Sequence, residues 1–531
     1  MSLLGENLRP RTLLRKLSNV GRRSRSRASA VDEVHPFRLL DLPPEIVEVI
    51  LSLSSPMDVL ALRMTCTALN IASRDRQTWL VIAQRTAFEH DMPLGPKKRV
   101  AMSSSDLERF ATAPARSLRA LSAASGRYYL GADAKQIPKL RARRETIHKG
   151  IGPEHSFNDE LYILPGGQYM INVDEDANMT FWRLDSASPM KLGSILFQPR
   201  AEPEGSRMNR FHKFCTHELL RGGTSTILRF VTCMGNIRET ESVKISVYDI
   251  SLEGVATGPR LIASTYVPLR SGSLFPNVVS FFGTRVAVVD KDDITVWDFA
   301  HDIQTSWSHL FGHIHDWRVL MYDNRVIVVG CPADPEELFK RERGQEVEKY
   351  SVRAKISVFE IPVDAVGPIQ LLPGLSLCLG HDQFLHLPCR AVPGVPFYFQ
   401  VRTCRPEGDD LLHTYTLRQD LESTRRSSEH LTVAPEPSAD ECLAETSATI
   451  TVPCDVGHAL VQTGYPFESD SRYKKVHLSW PEHIDGRRLL RGSVRLAHGS
   501  KSRMRAQAFD PVSGRLCVLR SDGGLLVADY I

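Results

Sequence analysis

One pattern recurs through the C-terminal two thirds of this chain: a short alternating strand carrying an aromatic residue near its end. Met179-Thr180-Phe181-Trp182-Arg183-Leu184 resembles Ile245-Ser246-Val247-Tyr248-Asp249-Ile250, and both resemble Ile294 to Phe299 and Ile356 to Ile361. His413 to Leu417 and His477 to Trp480 continue the pattern more weakly, and Leu526 to Ile531 carries it to the last residue. The aromatic marks Trp182, Tyr248, Trp297, Phe359, Tyr415, Trp480 and Tyr530 are separated by 66, 49, 62, 56, 65 and 50 residues. Alternation with period two is the signature of a strand with one buried face. Several marks follow another strand and an Asp- or Gly-containing turn, as in Arg285 to Val289 before Asp290 to Asp293, and Arg515 to Leu519 before Ser521 to Gly524. Seven marks imply about seven four-stranded units. Arranged as a ring, such units leave no long exposed edge. A large sandwich or two β domains would be the alternative. The last mark falls in the final strand, so that strand is expected to pair with an early one and close the ring.

Ahead of this β-rich part, residues 151–531, the chain reads as three segments. Residues 1–36 hold the run Arg22-Arg23-Ser24-Arg25-Ser26-Arg27 and little apolar periodicity, as expected of a solvated, disordered basic tail. A mitochondrial presequence, a nuclear-import segment and a phosphorylation segment are the other readings of such composition. Residues 37–85 carry helical patterning, and residues 86–150 read as a basic helical linker. The net charge of +4 comes from two places: residues 1–30 contribute +7 and residues 97–150 contribute +9, so the remainder is acidic at −12. The basic overall balance is therefore no nucleic-acid signature.

Within 37–85, Asp41-Leu42-Pro43-Pro44-Glu45 is a helix-start signal, with prolines suited to the first turn and an acid near the positive helix end. Ile46, Ile50 and Leu51 follow at helical spacing, and Ser54-Ser55-Pro56 ends that helix. Val59, Leu62, Cys66 and Leu69 form an apolar stripe on a second segment. Trp79, Ile82 and Ala83 mark a third. A bundle of under 50 residues is too small for a comfortable core of its own, so part of its apolar surface is expected to await a partner.

Leu42-Pro43-Pro44-Glu45-Ile46, Val49-Ile50-Leu51, Asp58-Val59-Leu60-Ala61-Leu62-Arg63, Cys66 and Trp79 resemble an F-box, with Leu69 where that family often has an aromatic. The β-rich part resembles a degenerate WD-repeat propeller. Trp297-Asp298 reproduces the family's dipeptide, and Gly312-His313, Gly380-His381 and Gly457-His458 resemble its Gly-His element. The expected fold class is thus multidomain α plus all-β: a three-helix F-box, a linker and a β-propeller of about seven blades.

The F-box resemblance implies docking to the Skp-type adaptor of a cullin–RING ubiquitin ligase, with the propeller holding a protein substrate. Leu42, Pro43, Ile46, Ile50, Leu51, Val59 and Leu60 would pack on the adaptor. Glu45 and Arg63 would stand at the rim or at helix ends. Substrate-recognition elements would lie in the insertions Arg200 to His212, Ala333 to Tyr350 and Leu421 to Asp440. Alternatives are a scaffold that binds the adaptor without promoting ubiquitination, and a propeller hydrolase.

Nothing catalytic competes with that reading. The chain lacks a phosphate-binding GxxxxGK[ST] loop, a GxSxG elbow and an HExxH helix, since His217-Glu218-Leu219-Leu220-Arg221 fails at the second histidine. Asp174-Glu175-Asp176 and Asp290 to Asp293 fall where hairpin turns belong. His313, His315, His381 and His386 are read as structural, and no cofactor or metal is expected. The closest of ten cysteines, Cys378 and Cys389, stand 11 apart, which excludes CxxC sites and points to a reducing compartment, cytoplasm or nucleus. The longest charge-free apolar region, Ala365 to Gly380, is broken by Pro368 and Pro373, so no membrane span is expected. RNA-recognition aromatics and zinc-finger spacings are absent too.

Overall fold

The computed structural model describes residues 39–124, 139–149, 151 and, between 160 and 531, the strands of the β-rich part with many of their turns. The chain divides into two compact units. One holds the described residues up to Thr86 together with Met102–Thr112, and the other holds Ala87–Ala101 and Ala113–Ile531.

The first unit begins with a 3-10 turn at Leu39–Asp41, followed by α1 (Pro44–Leu53), α2 (Pro56–Arg63), α3 (Thr67–Ala72) and α4 (Arg76–Glu89). Two more helices follow, α5 (Pro96–Ala101) and α6 (Ser104–Ala124), whose first half belongs to the same unit. Where the sequence predicts three helices in 37–85, the structure has four. The backbone N–H groups of Met64 and Thr65 turn back to the carbonyls of Ala61 and Leu62, both at 3.1 Å, and the Thr65 hydroxyl takes the Leu62 carbonyl at 2.7 Å. Cys66 is extended, and α3 starts after it. The stripe from Val59 to Leu69 therefore crosses a break, and both of those side chains are buried.

The strands of the second unit form seven sheets among the described residues. Sheet one spans Glu160 to Ile195, sheet two Arg210 to Pro268, sheet three Val278 to Ser308 and sheet four Ile314 to Leu379. Sheet five spans Gln383 to Asp440, sheet six Thr446 to Ala497 and sheet seven Met504 to Asp529. Successive strands pair antiparallel in chain order within each. Trp182, Tyr248, Trp297, Phe359, Tyr415 and Trp480 each lie on the third strand of their sheet, and Tyr530 directly follows the third strand of sheet seven. The aromatic recurrence is thus the same strand, seen seven times.

Apolar packing follows the same cyclic order. One cluster joins sheets one and two through Phe181, Phe230 and their neighbours, a second joins two and three, and a third joins three and four. Leu161 and Met170 of sheet one pack with Cys517 and Val527 of sheet seven. Sheets six and seven share a cluster that includes Leu121 of α6. Among the described residues, sheets six, seven, one, two, three and four are thus joined in succession by shared apolar clusters, which is the packing of propeller blades and not of a single sandwich core.

Sheets six and seven each gain a strand from a segment expected to be linker. Strand β1 (Lys139–Arg141) adds in parallel to the outer strand of sheet six, and β2 (Arg144–His148) pairs antiparallel with Leu525–Asp529 as the fourth strand of sheet seven. The closing partner predicted for the last strand is β2. Within 86–150, the stretch expected as a basic helical linker, α5 and α6 are helical and strands begin at Lys139, before residue 151. The segment reads as linker because its pairing partners lie more than 350 residues away.

Sheets seven and one are stitched by a turn. The buried Asp510 carboxylate accepts hydrogen bonds from Val512 N and Ser513 N, both at 3.1 Å, from the Ser513 hydroxyl at 2.5 Å, and from the Gly166 backbone. Arg515 donates to the Gly167 carbonyl at 2.7 Å. Gly167 has φ of +66°, and a Cβ there would collide with the Ser513 hydroxyl, so only glycine fits. Burial raises the Asp510 pKa from 3.8 to about 6 despite these donors. A raised carboxyl stabilises the fold fully below its unfolded pKa and loses that contribution as pH rises through the folded value. A shift of this size corresponds to roughly 3 kcal/mol. Thermal midpoints measured from pH 4 to 7 should show wild type falling relative to Asp510→Asn; parallel profiles would refute it.

Candidate docking surface

α1 is apolar on most of its circumference, and the structure shows what each side does. Pro43 precedes it and Pro44 opens it, so no N–H is wasted in the first turn. Ser54 closes it, its N–H and its hydroxyl both reaching the Ile50 carbonyl. Val47 and Leu51, one turn apart, face the inside of the bundle. Ile46, Val49 and Leu53 follow i, i+3, i+7 spacing on another side and stay 45–48% exposed. Soluble helices ordinarily put polar residues there, and three aliphatics in a row on a short helix form a contiguous uncovered stripe. Met64 at 84% and Ile71 at 70% are further exposed apolar side chains of this unit.

The other helices hold α1 in place. Ser55 caps α2 by accepting from Asp58 N at 3.1 Å, and Asp75 caps α4 by accepting from Thr78 N at 2.8 Å. Arg85 of α4 donates to the carbonyls of Ser52 and Ser54, the otherwise unsatisfied end of α1. Arg63 is the hub. Its guanidinium makes a two-pronged pair with Glu108 at 3.1 and 2.9 Å, bonds the Ser73 hydroxyl and carbonyl at 3.1 and 2.9 Å, and lies 5.7 Å from the Trp79 ring. Trp79, fully buried, donates from Nε1 to the same Ser73 carbonyl at 2.7 Å.

Of the residues expected to meet an adaptor, Pro43, Glu45 and Ile46 are exposed, and Leu42, Ile50 and Leu60 are half-buried. Leu51 and Val59 are bundle core, 1% and 0% exposed, Leu51 sharing the helical phase of Val47. Arg63 sits at the end of α2 as expected, yet it is turned inward and bound. Val49 and Leu53 belong to the exposed set and were legible from the i, i+3, i+7 spacing. Met64 was hidden by the assumption that α2 ran through it.

His217 lies on a strand, so the spacing that would make a zinc helix has no helix. Asp174 accepts from Asn178 N at 2.8 Å, a hairpin-turn role. Burial pushes the Cys517 thiol up to about 12, which keeps it protonated. Among the described residues no group of three potential metal ligands converges, and no helix is long and apolar enough to cross a membrane. Glu175, Asp176, His313 and His381 and most of the three long insertions lie outside the described residues. A recurrent feature missed in the sequence is a cross-strand pair of arginine and acid: Arg229–Asp249, Arg285–Asp298 and Arg515–Asp529 are ion pairs, and Arg325 stands opposite Glu360 in the same register. In each, the arginine is on the second strand and the acid on the third, beside the aromatic mark.

The F-box domain family model matches residues 39–81. No curated protein matches the chain. Similar solved structures include the RRP9 WD40 repeats, at 12% identity over 74% of this chain and 99% of that one, TM-score 0.36. A mitotic checkpoint complex structure matches at 10% identity, covering 76% and 98% of the two chains, TM-score 0.34. The tricorn protease matches at 11%, covering 74% and 35%, TM-score 0.36. Residues 39–81 are an F-box domain, and the β-rich part of the same chain is an array of sheets of four or five strands.

Proposed function

We propose that this protein is the substrate-recognition subunit of a Skp–cullin–F-box ubiquitin ligase. F-box domains generally bind Skp-type adaptors. The observation that carries the reading is the uncovered Ile46–Val49–Leu53 stripe inside that domain. Burying an aliphatic side chain fully is worth about 1.5–3 kcal/mol, so a stripe already half-exposed gains roughly half that per residue when a partner covers it. The WD40-like sheets would hold the target protein, and the transfer chemistry would belong to the ligase's other subunits.

Co-purification with a Skp-type adaptor and cullin, followed by ubiquitin transfer, tests this. Wild type should recover the adaptor and promote modification of a co-purifying protein, and Leu42→Asp, Ile46→Asp should do neither. Adaptor recovery without modification would leave a scaffold; no recovery would refute the docking itself.

A further inference from the structure

The strap that adds a strand to sheet six and a strand to sheet seven is also exposed. β1 and β2 stand at the ends of their sheets, each paired on one side only among the described residues. Along 139–149, Lys139, Arg141, Arg143, Arg144 and Lys149 face one carboxylate, Glu145. Arg141, Arg143 and Arg144 are exposed. Among the described residues, no carboxylate pairs with any of these three. Asp529, directly across from Arg144, is already held by Arg515 at 2.6 and 3.1 Å. Ile147, in the same strand, is 51% exposed.

Cations alone on an edge strand serve to block self-pairing. An exposed isoleucine among them does not fit that purpose, because it makes the edge stickier. An edge that offers free backbone groups, clustered positive charge and an apolar anchor together has the attributes that recognise an extended chain by strand addition. A phosphate of a nucleic acid or lipid could accept from the N–H groups but offers no donor to the alternating carbonyls, whereas an extended peptide matches both.

We propose that β2 is a docking edge for an acidic, extended polypeptide segment, which adds a strand to sheet seven. Its carboxylates would lie near Arg141, Arg143 and Arg144, and an apolar side chain would rest on Ile147. This site is independent of adaptor docking through α1, and loss of one should leave the other intact.

The probe is a fluorescent peptide of alternating glutamate and valine, titrated against the full chain by anisotropy. Controls are the same peptide N-methylated at alternate residues, which keeps the charge and removes the pairing groups, and a single-stranded oligothymidylate. Binding should weaken with salt. It should fall roughly tenfold in Arg141→Gln, Arg143→Gln, Arg144→Gln, and be lost with the N-methylated peptide. An unchanged circular dichroism spectrum and thermal midpoint of the triple variant report that the chain remains folded, and Ile147→Ser supplies a second, uncharged perturbation that should also weaken the peptide. Equal binding of the N-methylated peptide or of the oligonucleotide would overturn the proposal in favour of a general anion surface. Absence of peptide binding would overturn it in favour of a merely protective edge.

Discussion

A chain carrying Ile46→Asp and Val49→Asp is expected to lose more than a hundredfold in affinity for a Skp-type adaptor while remaining folded. Both side chains are nearly half exposed in the free protein, so the substitutions cost the fold little. In a docked complex the same positions would be dry, and two carboxylates would have to be desolvated without partners, at a cost of several kcal/mol. Every 1.4 kcal/mol is about a tenfold change in affinity. Titration calorimetry with the purified adaptor measures this directly. Leu51→Ala provides the contrast. That residue is buried, and its truncation should cost about 2–5 kcal/mol of stability. It should reduce the folded fraction without changing the affinity of molecules that are folded. If Leu51→Ala and the exposed double variant acted alike, the division between stripe and core would be wrong.

Arg63→Ala is expected to loosen the helical unit by about 3 kcal/mol. The substitution leaves Glu108 without its two-pronged partner, removes two bonds to Ser73 and uncovers one face of Trp79. Arg63 and Glu108 are 15% and 28% exposed, so the loss sits at the lower end of the range for a buried pair. Arg63→Lys should recover only part, since an ammonium cannot make the fork. The readout is amide hydrogen exchange over Pro44–Glu89 in the full chain, which should accelerate about a hundredfold in Arg63→Ala. Exchange unchanged from wild type would show that the hub carries no load. Because α1 keeps its pose through this framework, adaptor affinity should fall modestly as well.

Much of this architecture was open to reading from residues in sequence. The two prolines and Glu45 mark the start of α1, and Ser54-Ser55-Pro56 marks the boundary between two helices. The aromatic marks found the third strand of every sheet. What stayed hidden depended on distance along the chain or on a local tie. The stripe Val59, Leu62, Cys66, Leu69 is satisfied equally by one helix or by two with a turn between, and the backbone bonds at Met64 and Thr65 decide for two. The strap at 139–148 looks like a solvated charge run because half its residues are cationic or acidic, and its strand character comes from partners near the C-terminus. The arginine–acid pairs were obscured by unequal hairpins: Arg229 and Asp249 are 20 residues apart, Arg515 and Asp529 only 14. Leu51 was assigned to a partner when its phase with Val47 placed it inside.

Ile46, Val49 and Leu53 form a strip that is open in the free chain and, under the proposed function, would be covered in the assembled one. Side-chain oxidation by hydroxyl radicals, read with and without a Skp-type adaptor, observes that change at the residues themselves. Ile46, Val49 and Leu53 should react in the free protein and become protected on adding the adaptor, while Leu51 stays unreactive in both. Protection of all three before the adaptor is added, or undiminished reactivity after it, would contradict the account.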